Sequence, residues 1–215
     1  MIRFLTVASA LVAIAGCATA VAPLPAVLDY AGSGCAARVD LGGAISLTPA
    51  KETNGFVVLA DVGEGSPCLS AAGGKATPYA LFALPADHDD KTIAVGGALE
   101  PLRIFSPQVS VLAADGTELR TLPAADFFYR GPVFSVQFRP REGEAFLLVG
   151  ADPARVGQRY DAINVGTNTT TVYTGFGAAN FTTGVEASNS RLFSYHGGVQ
   201  VIVYDTDLED GKPTR

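Results

Sequence analysis

Residues 108–122 read QVSVLAADGTELRTL, and their reading decides the fold. Gln108-Val109-Ser110-Val111-Leu112 alternates polar and apolar side chains, the period of a half-buried strand. Asp115-Gly116 then offers a type I′ turn, and Thr117 to Leu122 returns as a second strand, so the stretch is a β-hairpin. The pattern continues outward. Val133 to Phe138 alternates with Phe134, Val136 and Phe138 on one face. Ala145 to Gly150 is an unbroken apolar run of strand length, expected as a central strand buried on both faces. Shorter Val-, Ile- and Phe-rich runs at 44–48, 55–61, 79–84 and 91–96 read as further strands.

These runs recur every 8–15 residues, separated by many of the chain's 24 Gly and 13 Pro. That spacing fits an all-β, antiparallel sandwich of jelly-roll or immunoglobulin-like type, and not alternating strands and helices. At most one short helix is expected. Asp152-Pro153 supplies an N-cap and a proline at the first helical position, for one or two turns through Tyr160. The Gly-, Thr- and Asn-rich stretch from Asn164 to Gly184 reads as a mobile connection, with strand character at 170–174 only. Segments 191–195 and 200–204 read as a final hairpin around His196-Gly197-Gly198.

The first twenty residues decide the compartment. Arg3 is followed by an apolar core from Phe4 to Ile14, interrupted by Thr6 and Ser9. As a helix that core would rise only about 16 Å, roughly half a bilayer's hydrocarbon thickness. It is therefore expected to be a secretory signal and not a span. Ile14-Ala15-Gly16-Cys17 has the aliphatic, small, small, Cys order that resembles a bacterial lipobox, which implies cleavage before Cys17 and acylation of that cysteine. Several acyl chains together make a stable anchor, and Ala18 in place of Asp favours the outer membrane. The rival reading is a plain signal cut after Ala20 or Ala22. The expected organisation is thus a signal at 1–16, a lipidated tether at 17–30, a single β-sandwich domain at 31–205 and a polar tail at 206–215.

Removal of residues 1–16 leaves 14 basic and 21 acidic side chains, a formal charge of −7. An acidic chain without a Lys/Arg cluster is a poor ligand for nucleic acid, whose affinity comes from phosphate neutralisation. With Cys17 assigned to lipid, Cys35 and Cys68 remain, and in an oxidising compartment two thiols read as a disulfide. A redox-active pair is the rival, but such pairs commonly sit two residues apart.

Chemistry-bearing residues are sparse. Of the two histidines, His88 lies in the polar turn Asp87-His88-Asp89-Asp90, and His196 lies in a Gly-rich turn. Neither setting suggests an oriented base, and no Gly-x-Ser-x-Gly elbow is present. The run Asp205-Thr206-Asp207-Leu208-Glu209-Asp210-Gly211 has three calcium-type ligands but Asp210 where the loop needs glycine. No catalytic residue, metal site or cofactor is assigned. The densest aromatic cluster is Asp126-Phe127-Phe128-Tyr129-Arg130. In a strand Phe127 and Tyr129 share one face and Phe128 the other. Tyr129 could stack a sugar ring, with Arg130 or Asp126 bonding its hydroxyls; the competing reading makes Tyr129 a core aromatic.

From Ala76 to about Tyr160 the chain resembles the maltose operon periplasmic protein family. The residues that carry the likeness are Tyr79 to Pro85 leading to Thr92–Val95, then Phe105-Ser106-Pro107-Gln108-Val109 with Leu112. Phe127–Tyr129, the strand Phe146-Leu147-Leu148-Val149 and the closing run Val199–Val203 complete it. The resemblance implies an exported, non-catalytic β-rich protein linked to maltodextrin uptake, partnered by a sugar-uptake component or by the sugar. It brings no catalytic residues. An envelope assembly lipoprotein without a small ligand is the alternative.

Overall fold

A computed structural model describes residues 22–70 and 76–205; Cys17, the signal segment and the tail from Thr206 lie outside the described residues. Two sheets face each other. The first runs β1 (Ile45–Ser46), β4 (Ala76–Ala83), β11 (Phe146–Ala151), β7 (Pro107–Leu112), β8 (Glu118–Thr121), with β3 (Cys68–Ser70) also on β4. The second runs β2 (Gly55–Val62), β14 (Gly197–Asp205), β5 (Lys91–Ala98), β10 (Val133–Phe138), β9 (Phe128–Arg130). Side-chain alternation turns one face of each sheet inward. Phe82, Val109, Val111, Leu147 and Val149 of the first sheet meet Ile93, Val95, Phe134, Val136 and Val201 of the second in one buried cluster. Each such side chain contributes about 1.5–3 kcal/mol by leaving water. The all-β sandwich is therefore the fold.

The hairpin at 108–122 forms as β7 and β8, with a different turn. Gly116 alone takes a positive φ, +84°, while Gly116 N–H donates to the Ala113 carbonyl and Ala113 N–H to that of Thr117. This is a type I turn closed by a glycine bulge, because Asp115 stays at negative φ and a type I′ turn needs both central residues positive. Strand β11 is central, between β4 and β7, but only its inner side chains are fully buried. Phe146 and Leu148 face outward, half-covered by Val39, Leu41 and Leu69. That cover is held by the Cys35–Cys68 disulfide, Cα–Cα 4.8 Å, and by Ala36, which bonds Cys68 and Ser70 through its main chain.

Three other expectations change. Asp152 does cap, its carboxylate accepting from Ala154 N–H at 2.9 Å. Only a turn follows: Gly157 at φ +83° stops it, and Gly157 and Gln158 bond to the Phe193 main chain. Residues 164–184 are not a loose connection but the outer part of a long hairpin, β12 (Arg159–Thr174) and β13 (Gly177–Ser194), joined to β6 (Arg103–Phe105) only at Leu192–Ser194. The final hairpin is absent: 191–195 belongs with β12 and β6, whereas β14 pairs with β2 and β5. Among the described residues helix is limited to three single 3-10 turns, Leu41–Gly43, His88–Asp90 and Ala124–Asp126. Within the stretch read as tether, Val27 and Tyr30 pack against the sandwich; Val27 N–H donates to the Ser194 hydroxyl, and its carbonyl accepts from Tyr195 N–H.

Candidate functional site

Across the outer face of the first sheet runs a groove whose residues come from four places. The disulfide-tied strap supplies Arg38 and Val39, and β3 supplies Leu69. The β7–β8 hairpin supplies one polar wall and β11 the floor at Leu148. Two contiguous cavities of about 520 and 300 Å³ share Leu69, Glu118 and Leu148. The floor is aliphatic because β11 carries no polar side chain outward. The wall is polar at Gln108 and Ser110, two of the three outward positions of β7; the third, Leu112, extends the apolar floor. Ser110 and Thr121 hydroxyls lie 3.1 Å apart, and Thr121 donates to the Glu118 carboxylate at 2.9 Å. Asp115 is engaged in its turn: the Thr117 N–H donated to it at 2.9 Å holds its carboxyl below the usual range. Glu118 and Asp115 against Arg38 leave the rim acidic, so the groove favours neutral or cationic ligands over anions.

The three residues expected to contact sugar are not brought together. Tyr129 faces inward, half-buried and stacked on Tyr160 at 5.8 Å between centroids, as its alternation with Phe128 requires. Phe128 is exposed on the other face under the Arg130 guanidinium. Arg130 donates to the Ser135 carbonyl and lines a separate cleft of about 120 Å³ on the outer face of the second sheet. Asp126 sits in a 3-10 turn. Tyr129 is thus a packing residue.

The histidines are structural in setting. His88 Nδ1 lies 2.7 Å from the Pro85 carbonyl, and no metal-binding cluster occurs among the described residues. The charge there is balanced by the buried Lys91, whose ammonium lies within 3.3 Å of Asp87, Asp90 and Asp205. Burial alone would lower the Lys91 pKa, but the three carboxylates override it and raise it. Asp87 is lowered in turn by its bond to Lys91. His196 packs edge-on against Tyr30, its Nε2 buried without a hydrogen-bond partner. Burial and the nearby Arg103 lower its pKa and keep the ring neutral. Of the calcium-like run, residues 206–211 lie outside the described residues.

No family model, curated protein or solved structure matches the chain. Sequence reading missed the groove because its walls are non-local: residue 38 meets residue 118 only through the disulfide and the sheet. The signal that could have found it was the outward trio Gln108, Ser110 and Glu118 beside a strand with an apolar outer face.

Proposed function

We propose that the protein is a non-catalytic lipoprotein of the bacterial envelope that binds a neutral carbohydrate chain such as a maltodextrin, as an accessory to its uptake. The observation that carries this reading is the groove: hydroxyl, amide and carboxylate groups on one wall above a leucine floor. Carboxylates and amides bond sugar hydroxyls, and aliphatic floors accept the apolar faces of the rings. The lipobox-like Ile14-Ala15-Gly16-Cys17 and the oxidised Cys35–Cys68 pair fit an exported, anchored protein. Calorimetric titration of the mature chain with maltodextrins tests the ligand. Heat abolished by Glu118→Gln and Ser110→Ala supports the reading, and no heat at millimolar sugar refutes it. A second reading, assembly in the outer membrane without a small ligand, is favoured by the long exposed hairpin.

A further inference from the structure

We propose that the β12–β13 hairpin is an assembly arm that pairs edge to edge with the arms of further copies of this chain and closes into an antiparallel β-ring. The proposal rests on the assembly reading alone and is independent of the groove. The outer part of the arm stands in solvent: residues 167–173 and 175–184 are all exposed, with Tyr173 at 83% and Phe176 fully so. Among the described residues β12 pairs only with β13, and β13 has a second partner only at Leu192–Ser194. Both edges of the ribbon therefore run out unpaired over Asn168–Val172 and Ala178–Thr183.

Isolated two-stranded ribbons are marginal in water, and proteins that keep a strand edge single protect it with charge or proline. The outer part of this arm has neither. Residues 162–185, 24 in succession, contain no charged side chain and no proline. The chain as a whole carries −6, so two copies repel except where this neutral segment meets its like. That charge distribution selects a second copy of the chain as the occupant.

The ribbon also has two edges, and pairing one leaves the other open on each copy. A head-to-tail contact that repeats and closes pairs all of them. With the bodies on one side, β12 runs away from the body and β13 returns. The contact of β12 with a neighbour's β13 is then antiparallel, like the β12–β13 pairing itself, and the ring is uniform. Its two faces differ. Thr169–Thr182 and Thr171–Asn180 form hydrogen-bonded cross-strand pairs on one, while Val172, Ala179 and Phe181 lie on the other. About eight strands give an interior that side chains just fill, so about four copies or more are expected.

Light scattering on the mature chain, with hydrogen exchange on the same sample, tests this. The expected result is a single species of about four or more times the monomer mass, with arm amides protected at high concentration and exchanging freely on dilution. Replacing residues 167–184 by an Asn-Gly turn should give a monomer that keeps the near-UV spectrum of the sandwich. Thr170→Lys with Asn180→Lys should give the same loss in the full-length arm. A monomeric wild type with unprotected arm amides overturns the proposal, as does an arm-deleted chain that remains oligomeric. Arm-dependent binding of monomers to phosphatidylethanolamine–phosphatidylglycerol vesicles without assembly overturns it too.

Discussion

Single side chains show how little polar surface this core tolerates. Glu144 is only 3% exposed; it accepts from Arg120 through both oxygens, at 2.6 and 3.0 Å, and from Arg141 N–H. Arg120 also lies over the Phe138 ring. Removing one partner of such a pair strands the other, so Glu144→Ala should cost about 3 kcal/mol in urea unfolding. The apolar pair Arg120→Met with Glu144→Leu should cost much less. His196 gives the pH dependence. Burial holds its folded pKa below 6.5, so the unfolded chain takes up the proton more readily. Its stability is full above about pH 6.5 and declines as pH falls from there toward the lowered folded value. In His196→Leu the urea midpoint should fall less between pH 7 and 5 than in wild type; an identical slope would remove the histidine from this account.

At the scale of elements, legibility follows sequence distance. The β7–β8 hairpin was readable because alternation and turn lie within fifteen residues, although the turn type depended on Asp115 staying at negative φ. The supposed last hairpin failed because Arg191–Tyr195 and Gln200–Tyr204 are neighbours in sequence but belong to different sheets. The arm was missed because Thr and Asn give no apolar period, yet its β-branched run Thr169-Thr170-Thr171-Val172 carried strand propensity. The close approach of β6 to the second sheet left a local mark at Gly97. A Cβ there would stand 2.3 Å from the Phe105 carbonyl oxygen, so Gly97→Ala should destabilise by about 1–3 kcal/mol in thermal or urea unfolding. The groove's strap depends on the disulfide. Cys35→Ala with Cys68→Ala should lose about 3–4 kcal/mol on the chain-entropy account of a loop this long. It should also speed hydrogen exchange at Val39 and Leu69 while leaving the β5–β14 amides slow.

For the molecule as a whole, sequence and structure divide the work. Composition and spacing sufficed for the all-β sandwich, because apolar strands with glycine and proline between them have few other ways to bury themselves. They could not place the groove, because its walls meet only through the sheet and the disulfide; of the residues singled out instead, Tyr129 and Arg130 are turned to opposite faces by strand alternation and Asp126 sits in the preceding 3-10 turn. The compartment remains a reading of residues 1–20. Cys17→Ala should move the protein from the membrane fraction to the soluble periplasmic fraction, and continued membrane retention would remove the lipid assignment. The groove as a carbohydrate site is tested most directly by hydrogen exchange of the wild-type chain with and without a maltodextrin at millimolar concentration. Slower exchange is expected at 117–121 and 148–150, with the outer face of the second sheet unchanged. Exchange unaltered along those strands, or slowed only beside Arg130, would contradict the carbohydrate assignment.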